Sequence, residues 1–133
     1  MDKDKEVTIL MPVYNSEKHI RSSIQSILKQ SYKKFKLFII YDESSDNTLN
    51  IIKEFNDKRI RLFINKRLGL IESLNFGILK TESEYIARMD SDDLSHPKRL
   101  EKQIKLLENS DADICGCNYF TINKKSIILQ NYV

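Results

Sequence analysis

Tyr85-Ile86-Ala87-Arg88-Met89-Asp90-Ser91-Asp92-Asp93 is an apolar run that ends in three carboxylates within four residues. Like charges this close repel one another, so a chain that sets them at the end of a buried strand has a cation for them to hold. Mg²⁺ and Mn²⁺ favour carboxylate oxygens and keep open positions for substrate phosphates. The stretch therefore predicts a strand that delivers a metal-binding motif, in an enzyme whose substrate carries phosphate.

Outward from that strand, the chain alternates between strand and helix patterns. Val7-Thr8-Ile9-Leu10-Met11 reads as a buried strand that stops at Pro12. Ser16 suits the N-cap of a helix that carries Ile20, Ile24, Ile27 and Leu28 at helical spacing. Residues 35–41 read as a second strand, and Asp46 as the cap of a helix with Ile51, Ile52 and Phe55. Residues 60–64 form a short strand, and a third helix begins near Leu70 and carries Ile71, Leu74 and Ile78. Pro97 suits the first turn of a fourth helix, with Leu100, Ile104 and Leu107 on one face. Residues 112–119 read as a further strand, and Ile127-Ile128-Leu129 is strand-like.

Strands separated by helices imply βαβ units and a mainly parallel sheet, so the fold class is α/β. Ligands of such sheets bind beyond the carboxyl ends of the strands. Three polar clusters fall at those ends: Pro12-Val13-Tyr14-Asn15, Asp42-Glu43-Ser44-Ser45-Asp46 and Asp90-Ser91-Asp92-Asp93. They are far apart in sequence, yet the topology brings them together.

Composition narrows the class. The 133 residues suffice for one domain with one core, and 41% apolar with 31% charged residues is a globular balance. A net charge of +3 is too small to argue for nucleic acid, but it permits weak attraction to an anionic membrane surface. No apolar run approaches the roughly 20 residues of a membrane span, and the charged N-terminus is no secretory signal. The expected location is the cytoplasm, with the cytoplasmic membrane face as a variant. Cys115 and Cys117, alternate residues of an expected strand, read as buried thiols in a reducing compartment. At about 6.5–7 Å apart they suit neither a disulfide nor, as a lone pair, a zinc site.

Several chemistries lack their motifs. The chain has three glycines, Gly69, Gly77 and Gly116, and no GxGxxG, GxxxxGK[ST] or GxSxG run. Dinucleotide oxidoreductases, P-loop NTPases and elbow-type hydrolases are thereby disfavoured. An Asp-x-Asp phosphatase places its nucleophile after the first strand, where this chain has Pro12-Val13-Tyr14-Asn15.

In this order and spacing, the three clusters resemble a family-2 inverting glycosyltransferase of GT-A (Rossmann-like) fold. Gly69-Leu70, Leu74-Asn75-Phe76-Gly77-Ile78 and Glu84-Tyr85-Ile86-Ala87-Arg88-Met89 resemble the family's run into its acidic motif, and residues 97–103 the helix after it. The likeness covers about residues 6–120. It implies a nucleotide-diphosphate sugar donor, most often a UDP-sugar, with Mn²⁺ or Mg²⁺, and hexosyl transfer to a saccharide, lipid or protein acceptor, as in polysaccharide biosynthesis. By position, the resemblance implies that Pro12, Val13 and Tyr14 line the base, with Tyr14 able to stack on it. It also implies that Asp42 accepts a hydrogen bond from the uracil N–H. Gly69 and Ser91 would join the nucleotide site, with Lys66 or Arg67 adding positive charge. Asp90 would approach the ribose or the metal, and Asp92 would be the main metal ligand.

The chain departs from the family pattern at Glu43, where the family has a second aspartate, and in its extent. The likeness ends with the donor-binding part. The carboxylate base that an inverting enzyme needs lies further along in that family, so the catalytic base is unassigned. The expectation is a single nucleotide-sugar-binding domain over residues 1–133 with the acceptor-binding half absent. A nucleotide-sugar-binding module without turnover is the alternative. A sheet interrupted there would leave an unpaired edge, and hence a route to a homodimer.

Overall fold

A computed structural model of the chain describes residues 5–125 and 127–132. Along them run β1 (Val7–Val13), α1 (Ile20–Leu28), β2 (Phe35–Asp42), α2 (Thr48–Lys53), β3 (Ile60–Asn65), α3 (Gly69–Lys80), β4 (Tyr85–Arg88), α4 (Arg99–Glu108), β5 (Tyr119–Ile122) and β6 (Ile128–Tyr132). The first four strands make one parallel sheet in the order β3-β2-β1-β4. β5 and β6 form a separate antiparallel pair. The α/β reading, a mainly parallel sheet flanked by helices, is the architecture observed.

The two-residue period of a strand sorts β1 onto two cores. Val7, Ile9, Met11 and Val13 pack with Ile20, Ile24 and Ile27 of α1, Ile52 of α2, and Leu100 and Ile104 of α4. Leu10 faces the other way and packs with Phe38 and Ile40, then with Phe63, Leu74 and Phe76. Helices α1, α2 and α4 therefore cover one face and α3 the other. Both faces of β1 and β2 are covered, which is why those strands read as nearly unbroken apolar runs.

Helix α3 forms where expected but is turned about its axis. It presents buried Ser73 and Gly77 to the sheet, whereas Leu70, Ile71 and Ile78 are exposed. Space decides this: a Cβ on Gly77 would lie 2.9 Å from Leu10 Cδ2 and 3.1 Å from Ile40 Cδ1. Ser73 and Gly77 make the close approach over Leu10 and Ile40, while Leu74 and Phe76 of the same helix pack beside it, with Phe76 in the edge-to-face series Phe38–Phe63 and Phe63–Phe76.

Other expectations are corrected. β1 does not stop at Pro12 but continues to Val13, with Pro12 in register with Ile40. The Leu10 carbonyl accepts the Met89 N–H on the β4 side, and Pro12, two residues on, turns the same way. The β4 pairing has ended by Leu10, so the N–H that proline lacks breaks no ladder. α1 starts at Ile20, not beside Ser16, and Ser16 makes no side-chain cap. Residues 112–118 form no strand. Pairing rather than propensity makes a strand, and it begins at Tyr119, opposite β6. The cysteines are consequently not buried strand residues: Cys115 is half-buried and Cys117 exposed.

Candidate functional site

The carboxyl ends of β1, β2 and β4 open onto one cavity of about 820 Å³, within the size range of small-molecule sites. It lies beside β1, from which the chain runs through β2 and β3 to one side before crossing to β4 on the other, the switch point at which open α/β sheets bind ligands. Pro12, Val13, Tyr14, Asn15, Ser16 and His19 line it from β1 onward, and Asp42, Glu43, Ser44 and Ser45 from β2. Arg67, Gly69, Leu70 and Ser73 contribute from the start of α3, and Arg88, Asp90, Ser91 and Asp92 from the end of β4. The three clusters singled out in the sequence do converge.

Hydrogen bonds join the first two loops. Asn15 takes a left-handed φ of 45°, which asparagine tolerates. Its N–H reaches Ser44 Oγ at 3.0 Å and its Oδ1 accepts the Ser45 N–H at 2.9 Å. Ser16 N–H donates to Thr48 Oγ1 at 2.8 Å. Glu17 and Asp46 reciprocate: Asp46 Oδ2 accepts the Glu17 N–H and Glu17 Oε2 accepts the Asn47 N–H, each at 3.0 Å. Asp46 also accepts the Thr48 N–H at 3.1 Å from one residue outside α2; the N-cap position itself falls on Asn47, which makes no side-chain cap, so the expected Asp46 cap is shifted by one residue.

Asp42 is buried and accepts three backbone hydrogen bonds. Its Oδ1 accepts N–H groups from Glu43 and Leu68 at 3.1 Å each, and its Oδ2 accepts Gly69 N–H at 2.9 Å. Burial alone would raise its carboxyl, but the backbone donors of Gly69, Leu68, Glu43 and Arg67 outweigh burial and hold it below the usual carboxylate range. The donors can gather because Arg67 and Gly69 sit at φ 55° and 74°. The carboxylate thus fixes the start of α3, and most of its acceptor capacity is spent within the chain.

The acidic loop is held from beneath by α1 and the residues that flank it. Ser16 and Ser91 hydroxyls meet at 2.6 Å. Ser23 Oγ lies 2.8 Å from the Ser91 carbonyl and 2.7 Å from that of Asp93. Ser26 Oγ accepts the Ser95 N–H at 3.0 Å. The fully buried Gln30 donates to Ser95 Oγ and the His96 carbonyl and accepts the Leu100 N–H, at 3.0, 2.8 and 3.1 Å. These contacts fix the backbone and leave the carboxylates outside. Asp90 pairs with Arg88, Nε to Oδ1 at 3.1 Å and Nη2 to Oδ2 at 3.4 Å. Desolvation first, then the charges of Asp92 and Asp90, push the Asp93 carboxyl upward against Arg99.

Most sequence-predicted residues reach the cavity, with refinements. Tyr14 is 63% exposed there, its ring free to meet a flat ligand. Pro12 and Val13 line the cavity while staying buried. Ser91 is buried on Ser16, which marks it as loop support. Lys66 does not line the cavity; Arg67 does. Asp93 does not line it either. Sequence reading missed Ser23, a polar residue among Ile20, Ile24 and Ile27 of α1, and Gln30, which lies just beyond the end of that helix.

Comparison with known proteins agrees with this geometry. The model of Glycosyl transferase family 2 matches residues 8–130. The chain is 38% identical over 126 residues to the UDP-Glc:alpha-D-GlcNAc-diphosphoundecaprenol beta-1,3-glucosyltransferase WfgD of Escherichia coli, covering 94% of this chain and 50% of that protein. S. aureus TarS 1-349, solved in complex with UDP-GlcNAc, superposes with a TM-score of 0.70 at 26% identity, covering 82% of this chain and 32% of that one. The mannosyltransferase PcManGT of Pyrobaculum calidifontis, at 23% identity, shares the fold with a TM-score of 0.72, over 77% of this chain and 32% of that one. The chain thus spans about half the length, or less, of the curated relatives it matches.

Proposed function

The chain belongs to glycosyl transferase family 2, and from that premise we propose that its cavity is the donor site of a glycosyltransferase. The donor is a nucleotide-diphosphate sugar, UDP-linked by preference, and residues 1–133 act as one donor-binding unit. The observation that carries this reading is the convergence of the loops after β1, β2 and β4 on one cavity with Asp90 and Asp92 at its edge. UDP-GlcNAc is the ligand named for TarS, and UDP-Glc is named for WfgD.

The donor set fits a hard divalent cation, Mn²⁺ or Mg²⁺. No group of three or more His, Cys, Asp or Glu side chains is arranged to hold a metal among the described residues. Such ions are characteristically held by one or two carboxylates and completed by substrate phosphates. Asp92, exposed and lining the cavity, is the principal ligand, with Asp90 as the second. When bound, the ion supplies Lewis-acid stabilisation of charge on the departing diphosphate. Tyr14 stacks on the base, and Pro12 and Val13 bound its pocket. Asp42 and Gly69 shape the nucleotide side by fixing the α3 start. Arg67, rather than Lys66, supplies positive charge there. Ser91 holds the loop that carries the metal ligands.

Transfer goes to a saccharide, lipid or protein acceptor; the lipid-linked saccharide named for WfgD makes a polyprenyl-diphosphate saccharide the first to test. Calorimetric titration with UDP, with and without Mn²⁺, tests the donor site. Metal-dependent binding that Asp92→Ala removes is the expected result; no binding by the folded chain at millimolar UDP overturns the reading.

Nucleotide-sugar binding without turnover is the second reading. One observation favours it: of the carboxylates lining the cavity, Asp42 is occupied, Asp90 is paired and Asp92 is assigned to metal, leaving Glu43 beside the nucleotide as the remaining candidate base. Release of UDP from a UDP-sugar by the chain decides between the two. For location, the reading is cytoplasmic, with weak attachment to an anionic membrane face; no helix among the described residues is long and apolar enough to cross a membrane. A homodimer through the outer edge of β4 is the matching assembly, and concentration-independent monomer mass by light scattering removes it.

A further inference from the structure

Arg88 closes β4, and its side chain stands in the cavity wall beside Asp90. By strand alternation it faces away from Ala87 and Met89, which join the larger core, and to the side of its register partner Leu10. Its backbone is pinned, because Arg99 Nη2 donates to the Arg88 carbonyl at 2.8 Å. Its guanidinium is not buried: the side chain is 56% exposed, and its partner is Asp90. A fixed backbone, an exposed fork and a carboxylate partner that is itself a candidate metal ligand are three independent features of one residue.

We propose that Arg88 is a positioning residue that exchanges partners: it holds Asp90 when the site is empty and turns to the donor's diphosphate when a divalent cation takes Asp90. This rests on the donor-site reading above. The physical reason is competition for the same oxygens. Asp90, Asp92 and Asp93 repel one another, and the guanidinium offsets part of that repulsion in the empty site. A divalent cation on Asp90 carries twice the charge of the arginine and repels it. The released fork then stands beside the cation, where the phosphates must lie, and its planar donors match phosphate oxygens. With Arg67 on the far side of the cavity, the diphosphate would be met by a cation from each wall.

The exchange makes opposite demands on two binding constants. Arg88→Gln removes a competitor of the metal, so Mn²⁺ alone should bind about threefold to tenfold tighter, and removes a phosphate donor, so UDP at saturating Mn²⁺ should bind about tenfold weaker. Uridine, which has no phosphate, should bind unchanged. Arg88→Lys keeps the charge without the fork, so it should recover part of the UDP affinity. Mn²⁺ binding is read by electron paramagnetic resonance of the free ion, nucleotide binding by calorimetry, and folding by thermal melting of each variant. If Arg88 only braces the loop, Arg88→Gln weakens Mn²⁺ and UDP together, and that overturns the proposal. Unchanged UDP affinity in a variant of a wild-type chain that binds UDP also overturns it, and it alone. A wild-type chain that binds no UDP overturns the donor site itself.

Discussion

The cavity's two carboxylate-bearing loops are built in opposite ways. After β2, Asp42 is 7% exposed, accepts three backbone N–H groups and titrates below the ordinary range. After β4, the backbone is tied down by Ser16, Ser23 and Gln30, while the carboxylates project. Asp90 there has one arginine, and Asp93 titrates above the ordinary range. A carboxylate whose lone pairs are filled serves the fold; one with lone pairs open is available to a ligand. Residues of one chemical type are thus divided into occupied and open carboxylates by the donors around them.

The largest test of this contrast is Gln30→Ala. It orphans the Leu100 N–H, the Ser95 hydroxyl and the His96 carbonyl at once and leaves a cavity in the core. A loss of about 3 kcal/mol in urea unfolding is expected, with weaker metal-dependent UDP binding as the acidic loop loosens. Full stability in this variant would mean that the acidic loop holds itself.

Asp42→Ala against Asp92→Ala tests the division directly. The first strands the Leu68 and Gly69 donors and should cost about 2 kcal/mol; the second, exposed, should stay within about 0.5 kcal/mol of wild type. Equal losses in urea unfolding would erase the contrast. Asp42 should also show itself in acid. The folded Asp42 value lies below its unfolded value near about 3.9, so its contribution is present above that pH and is lost as pH falls through the folded value. Asp46 and Asp57, the latter lowered to about 2 mainly by its hydrogen bond from Arg59, carry the same sign. Asp42→Asn should therefore flatten the fall in urea midpoint between about pH 5 and about pH 3.

The smallest expected effect has the reverse sign. Asp93→Asn removes a charge that burial and two aspartates disfavour. Because the side chain is largely exposed, the gain at neutral pH should be only a few tenths of a kcal/mol in urea unfolding. A loss would mean that its carboxylate has a structural partner.

Strands with uninterrupted apolar runs were legible because both their faces are buried, so hydrophobicity alone marks Ile9, Leu37 and Ile39. The convergence of the three polar clusters was legible too, because a parallel sheet puts all its strand ends on one side. Residues 112–119 misled because apolar β-formers are only half of a strand; the other half is an edge to pair with, which begins opposite β6. The rotation of α3 was only partly legible: periodicity counts Ile71, Leu74 and Ile78 as one face, and Leu74 does pack on the sheet, but it cannot know that the close approach to Leu10 and Ile40 falls at Gly77, which leaves Ile71 and Ile78 exposed. Lys66 and Arg67 are adjacent and equally basic, and the left-handed turn at Arg67 put that residue, not its neighbour, at the cavity.

By itself, then, the sequence determined the α/β architecture and the family, because order, spacing and hydrophobic period are local properties of a chain. Tertiary structure alone decided which carboxylates are spent and which stay open, and which basic residue meets the cavity. Those outcomes depend on donors brought from residues tens of positions away: 26 and 27 for Asp42, 75 for the Ser16–Ser91 contact. No local pattern encodes such distances; the packing of α1 and α3 against the sheet does.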